Sequence, residues 1–156
     1  MVPSDFKQTL GRFLSGVTVI GAESEGTPHG MTASAFLSVS LDPPLVLVSV
    51  ARSARMHEVL ARAARWSATI LAGDQAALSN HFAGYGAADP QWIREAGAAP
   101  RLDGGLAWVD CSPWAAYDGG DHTLYVGRVE ACGWRDGGEP LTYFRGKYRD
   151  LAPVAG

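Results

Sequence analysis

From residue 32 to residue 40 the chain alternates without a break. Thr32, Ser34, Phe36, Ser38 and Ser40 share one parity, and Ala33, Ala35, Leu37 and Val39 the other. A period of two predicts one β-strand with an oily face and a face of small hydroxyls. Hydroxyls are costly to bury without partners. That face therefore meets solvent on an antiparallel sheet, or it carries a flat ligand whose edge is rich in hydrogen-bonding atoms. The residues leave both readings open. Asp42, Pro43 and Pro44 then interrupt pairing, because proline offers no amide to a ladder.

The rest of the chain predicts many short strands joined by tight turns. Its 156 residues suit one domain, residues 1–156, and 19 glycines with 9 prolines supply the turns. A helix is expected over residues 4–15, capped by Ser4, with Phe6, Leu10, Phe13 and Leu14 on one side. Residues 17–20 read as a strand, Glu25-Gly26 as a turn, and residues 45–50 as a core strand buried on both faces. Met56, Val59, Leu60 and Ala63 fall at helical spacing, predicting a helix over residues 53–65. Residues 66–71 return to strand, and Asp74 is placed to cap a second helix carrying Leu78 and Phe82. Residues 83–102 read as a long connection holding Trp92 and Ile93. Strands follow over 106–111, 122–134 and 141–148, with a turn at residues 136–138. No βαβ rhythm appears, which predicts a barrel with helices packed outside it.

Charge and motifs exclude several functions. Thirteen basic and sixteen acidic side chains leave a net charge of −3, so no footprint for nucleic acid appears. No apolar run is long enough to span a bilayer and no signal-peptide pattern opens the chain; a cytoplasmic location is expected. The two cysteines and four histidines show no metal-ligand spacing. Signatures of a serine-nucleophile elbow, a P-loop and a dinucleotide fingerprint are absent. An enzyme of this composition borrows its chemistry from an organic cofactor.

Three local features carry candidate chemistry. His122 follows Asp121 at the mouth of a strand, where it either contacts a substrate or closes an ordinary turn. Arg52, Arg55, Arg62 and Arg65 surround a helix whose first free amides, over residues 54–56, could hold an anion; a solvated helix face reads equally well. The run Tyr143-Phe144-Arg145-Gly146-Lys147-Tyr148 interleaves aromatics with cations, as a cofactor wall or a subunit contact does.

Ordered along the chain, the segments GRFLSGVTV (11–19), GMTASAFLSVSLDPP (30–44), LSNHFA (78–83), GDH (120–122), GRV (127–129) and PLTYFRGKY (140–148) resemble the short-chain flavin reductase family. The resemblance runs from about residue 6 to residue 151. It implies a mainly β fold, an FMN-binding split β-barrel with short flanking helices, assembled as a homodimer. It implies FMN or FAD as cofactor, NADH or NADPH as hydride donor, and a partner monooxygenase that receives reduced flavin. By resemblance, Thr32, Ala33, Ser34 and Ala35 meet the flavin ring, largely through backbone atoms and the two hydroxyls. Ser49 and Val50 border the ribityl chain. Arg52, Ser53, Ala54, Arg55 and Met56 take the phosphate, His122 faces the nicotinamide, and Phe144 to Tyr148 close the pocket. The chain departs from the family pattern in one place: Ala54 and Met56 stand where family members commonly carry a serine and a threonine. Two further functions fit the same fold. One is flavin chemistry on an organic substrate, with Trp92, Trp108 and Trp114 shaping a pocket; the other is flavin binding without turnover.

Overall fold

Two-residue turns set the order of the strands. The computed structural model describes residues 2–156. Helix α1 (Pro3–Leu10) leads into β1 (Ser15–Gly16) and then the first hairpin, β2 (Thr18–Ser24) with β3 (Thr27–Ala33). Glu25 and Gly26, at φ 51° and 76°, form the turn between them. Such left-handed pairs match the twist of the flanking strands. β4 (Phe36–Leu41) and β5 (Pro44–Ala51) form a second hairpin around Asp42-Pro43. Helix α2 (Arg55–Arg62), β6 (Trp66–Ile70), a short 3₁₀ turn (Gly73–Gln75) and α3 (Ala76–Phe82) follow. β7 (Trp92–Ile93) pairs with β8 (Arg101–Leu102). The long strands β9 (Ala107–Gly119) and β10 (His122–Trp134) make a third hairpin. β11 (Thr142–Phe144) and β12 (Lys147–Arg149) make a fourth.

Seven strands form one antiparallel sheet in the order β3-β2-β6-β9-β10-β5-β4. Its two edge strands, β3 and β4, are consecutive in the chain and joined only by Ser34 and Ala35. Three residue steps reach at most about 11 Å, so the sheet curls until its edges meet at that link. β1, β11 and β12 form a separate three-stranded sheet.

The curl encloses Ile20, Val48, Val50, Trp66, Ala68 and Cys111, and α2 adds Met56, Val59 and Leu60 to the same cluster. A second cluster, Val17, Val19, Leu71, Leu102 and Leu141, fills the space toward the small sheet. Gly127 is required here: a Cβ would lie 2.5 Å from the Trp66 ring and 2.7 Å from Cys111 Cβ. Among the described residues no helix is long and apolar enough to cross a membrane.

The structure departs from several sequence expectations. The uniform alternation over residues 32–40 is not one strand; it breaks at Ser34-Ala35, where the chain passes from one sheet edge to the other. A register shift between Ser38 and Ser40 disturbs β4, and the supposed oily face lies outward, with Leu37 and Val39 exposed while Phe36 packs on the core. The first helix ends at Leu10, and Val2 rather than Ser4 occupies its N-cap. Asp74 caps nothing; the Gln75 side chain accepts from the Ala72 amide instead, at 3.0 Å. Residues 83–102 contain both β7 and β8, and β9 continues eight residues past Cys111, to Gly119. The C-terminal strand is a hairpin, turned at Arg145 and Gly146 with φ 51° and 76°.

Candidate functional site

Helix α3 is seated on the first hairpin through Phe82, whose ring occupies the space above Gly30. A Cβ at Gly30 would lie 2.5 Å from that ring. Trp92 holds Phe82 from the other side, edge to face at 5.6 Å between centroids. This seating brings Ser79 beside β3, where the Thr32 hydroxyl donates to the Ser79 carbonyl at 2.6 Å. The Tyr148 hydroxyl, from the β11–β12 hairpin, lies 2.7 Å from Ser79 Oγ and 2.9 Å from Asn80 Oδ1.

Between these three elements opens a cleft of about 480 Å³, with Thr32, Ser34, Asn80, Tyr85, Lys147 and Tyr148 on its walls. Sites for small organic ligands fall in the range of about 300–1,000 Å³. Asn80 and Tyr85 were not picked out from the sequence as site residues, whereas Lys147 lies in the Phe144-to-Tyr148 run expected to close the pocket. The LSNHFA segment carries the signal for Asn80, and the alternation of aromatics and cations carries it for Lys147. Tyr85 sits in a Gly-rich connection with no pattern to reveal it.

The second cluster lies where β5 enters α2. β10 pairs with β5 so that His122 stands opposite Ala51 and Thr123 opposite Val50. The Arg52 amide donates to the Asp121 carbonyl at 2.9 Å, tying the α2 approach to the β9–β10 turn. Nδ1 of His122 lies 2.7 Å from Oδ1 of Asp121. The hydrogen bond from His122 and its charge hold the Asp121 carboxyl below the usual carboxylate range. With the carboxylate ionised, Nδ1 is the donor and Nε2 is the nitrogen left to face outward. His57 Nε2 is hydrogen-bonded to Thr123 Oγ1 at 2.9 Å and its carbonyl accepts from Tyr125 Oη at 3.0 Å. Burial pushes the Tyr125 phenol up, so it stays a neutral donor there.

At the start of α2, the Ala54 amide is spent on the Ala51 carbonyl at 3.0 Å, contrary to the expectation of free amides over 54–56. The amides of Arg55 and Met56 meet no acceptor among the described residues, and no side chain caps the helix. Arg52 is paired with Asp118, and Arg65 with Asp110. Arg55 is exposed and enters no ion pair among the described residues.

The expected site residues therefore divide. Thr32, Ser34 and Tyr148 converge on the cleft; Ala35 is exposed between the clusters, its carbonyl accepting from the Ser49 amide at 3.0 Å. Arg52, Ser53, Arg55 and His122 gather at the β5–α2 junction, the first three of them exposed. Three residues are placed elsewhere. The side chains of Ala33, Val50 and Met56 are 7%, 0% and 3% exposed and belong to the core cluster, because strand and helix periodicity turns them inward. The Ala33 carbonyl is also occupied, by the Thr18 hydroxyl at 2.7 Å. Phe144 neighbours Tyr143 in the strand and so faces the other side of the hairpin; it does not line the cleft. The three tryptophans expected to shape an organic pocket do not meet: Trp92 backs Phe82, Trp108 lies under Arg101, and Trp114 is half exposed on β9.

A polar-lined cleft of this size suits a flat heteroaromatic ring, and the unpaired amides of Arg55 and Met56 beside Arg55 suit a phosphate. The residues present thus fit a flavin nucleotide.

Comparison with known proteins bears on the same point. The family model described as "Flavin reductase like domain" matches residues 10–152. An NADH-dependent flavin reductase from a Rhodococcus species is 45% identical, over 97% of this chain and 88% of the relative. The reductase component of 4-hydroxyphenylacetate 3-monooxygenase from Thermus thermophilus is 43% identical, over 94% of this chain and 95% of the relative. Among solved structures, the NADH:FAD oxidoreductase SgcE6 of Streptomyces globisporus, in complex with NAD and FAD fragments, superposes with a TM-score of 0.90. It is 34% identical, covering 100% of this chain and 98% of that one.

Proposed function

The chain belongs to the flavin reductase like family, and from that membership we infer that it is an NADH-dependent flavin oxidoreductase whose reduced flavin serves a monooxygenase. Bound in the cleft, FMN or FAD would supply the hydride-accepting chemistry toward a reduced nicotinamide. The chain's residues have to bind, orient and exclude water, and proximity carries most of the rate. No concentrated acid–base cluster is needed, in keeping with the sparse set of titratable groups along the cleft.

The observation that carries this reading is the convergence of Thr32, Ser34 and Tyr148 on one cleft of about 480 Å³. Thr32 Oγ1 gives its proton to Ser79 and keeps its lone pairs for a ring N–H. Ser34 is exposed and free to donate or accept. The amides of Arg55 and Met56, with Arg55 and Ser53 above them, hold the phosphate. His122 presents Nε2 toward the carboxamide of the nicotinamide.

The fold proposed is a split β-barrel, supported by the two-residue link between the edge strands. A homodimer is proposed at β4, where Leu37, Val39 and Leu41 are 52%, 47% and 91% exposed on either side of the register shift. Isolated exposed residues are normal, but an apolar strand left at an open sheet edge is covered in most proteins. Two free cysteines agree with a reducing compartment, the cytoplasm.

Anaerobic stopped-flow absorbance of FMN and FAD mixed with the protein and NADH or NADPH tests the function. Flavin bleaching that saturates with NADH is expected. A chain that binds flavin and does not bleach it under either donor is a flavin-binding protein without turnover.

A further inference from the structure

Residues 52–57 carry the chain from β5 into α2, and the β9–β10 hairpin holds them at both ends. At one end the Arg52 amide donates to the Asp121 carbonyl at 2.9 Å, and the Arg52 guanidinium is paired with Asp118. At the other end stands His57, the third residue of α2. Its Nε2 lies 2.9 Å from Thr123 Oγ1, and its carbonyl accepts from the Tyr125 hydroxyl at 3.0 Å. Thr123 and Tyr125 are two apart on β10 and share one of its faces. The Tyr125 ring also meets the imidazole edge to face, 5.7 Å between centroids. Between the two anchors lie Ser53, Ala54 and the unpaired amides of Arg55 and Met56.

This fastening makes good what the helix start lacks. An N-cap hydroxyl or carboxylate ordinarily fixes such a turn; Ala54 has neither, and no side chain caps α2. A frayed turn gives up entropy when it closes on an anion, which lowers affinity. The two bonds of His57 span 66 and 68 positions of sequence, so they tie the turn to the sheet and not to its own helix. Tyr125 is 9% exposed and packed in the core cluster, so that anchor is itself fixed. Thr123 follows His122 directly. The bond from His57 to Thr123 therefore relates the anion-facing turn to the strand end that carries His122.

We propose that His57 is a positioning residue for the reaction: through Thr123 it holds the first turn of α2 in the conformation that receives the flavin phosphate, at a fixed offset from His122. The proposal rests on the flavin and phosphate reading of this junction. His57 touches neither reactant. It acts through the amides of Arg55 and Met56 and through the strand end at Thr123.

The test removes the bond from either side, with His57→Leu and Thr123→Val, and rebuilds it with His57→Gln and Thr123→Ser. Glutamine carries an amide nitrogen at the reach of Nε2, and valine keeps the branching of threonine without its hydroxyl. Paired titrations give the preference for FMN over riboflavin, steady-state turnover gives the NADH Michaelis constant, and urea midpoints report stability. The parent is expected to prefer FMN. His57→Leu and Thr123→Val should each lower that preference about fivefold to tenfold and raise the Michaelis constant several-fold; the double variant should lower it no further than either single. His57→Gln and Thr123→Ser should stay within about twofold of the parent. A lower urea midpoint with the FMN preference unchanged, in both His57→Leu and Thr123→Val, makes the bond purely structural and overturns the positioning role alone. A parent that binds FMN no tighter than riboflavin refutes the phosphate reading, and the proposal with it.

Discussion

Thr32 donates its hydroxyl proton to the main-chain carbonyl of Ser79 at 2.6 Å, fastening the first hairpin to α3 across 47 positions of sequence. Thr32 also lines the cleft, so the proposed flavin site gives it a ligand-binding role beside the structural one. Thr32→Val removes one of two donors from the Ser79 carbonyl, which still accepts from the Ala83 amide at 3.1 Å, and the loss of the net hydrogen bond costs about 0.5–1.5 kcal/mol. Chemical denaturation is expected to show that loss together with a several-fold weaker flavin Kd. Ser34 makes no hydrogen bond to the protein among the described residues and is exposed. Ser34→Ala should leave stability within about 0.5 kcal/mol and weaken flavin several-fold. Equal melting temperatures for the two variants would refute the dual role of Thr32.

The phosphate site gives a second contrast. Ala54 is the N-cap of α2 and offers no side-chain acceptor, so Ala54→Ser should stabilise the protein by about 0.5–2 kcal/mol. Met56→Thr has the opposite sign. That side chain is 3% exposed among Val59, Leu60 and Trp66; shortening it opens a cavity and buries a hydroxyl, costing about 2–5 kcal/mol. Arg55→Ala should weaken FMN by about tenfold while riboflavin, lacking the phosphate, changes little. Denaturant midpoints and paired titrations check all three.

These outcomes mark how far the sequence could be read. Turn chemistry and hydrophobic period located β2, β5, α2, β6 and the start of β10, because each is built by near neighbours. The alternation over residues 32–40 misled because period two persists across Ser34-Ala35, where the chain changes sheet edge; only long-range pairing reveals the break. Ala33, Val50 and Met56 sit in segments the site uses, but a segment does not say which of its side chains turn inward. Ser79 and Asn80 join the cleft through the seating of Phe82 on Gly30, a contact across some fifty positions that no local pattern records.

The edge strand β4 supplies a test of assembly. Leu37→Lys with Leu41→Asp places charges on the edge strand that the proposed homodimer buries. Sedimentation should then shift from the mass of two chains to that of one, with the denaturation midpoint of the monomer otherwise intact. A parent protein that sediments as one chain at micromolar concentration refutes the interface.

Cys111 carries a pH dependence of known sign. It is fully buried, and desolvation, with the charge of Asp110, pushes its thiol up to about 12 from 9.0. The folded state keeps this proton where the unfolded chain loses it. Its contribution to stability is therefore complete below about pH 9 and is lost progressively as pH rises toward about 12. The difference in stability between the parent and Cys111→Ala should fall over that interval. A thiol reagent at neutral pH should modify the exposed Cys132 in the native protein and reach Cys111 only after denaturation.

His122 is the residue whose chemistry is most open to direct measurement. Its side chain is 42% exposed, and its Nδ1 is engaged with an Asp121 carboxylate that is itself 95% exposed. If Nε2 orients the nicotinamide, His122→Ala should slow single-turnover flavin reduction or raise the NADH Michaelis constant by about tenfold, equivalent to about 1.4 kcal/mol, with flavin Kd unchanged. Asp121→Asn should produce a smaller effect of the same kind, because the amide no longer fixes Nδ1 as the donor. The depressed pKa of Asp121 sets the pH sense. The contact is complete above the ordinary carboxylate range and is lost as pH falls through the lower folded value, so Asp121→Asn should converge on the parent only in acid, while His122→Ala stays impaired. A histidine that merely closes the turn gives another pattern: the melting temperature of His122→Ala drops, while reduction kinetics of the folded fraction match the parent at every pH.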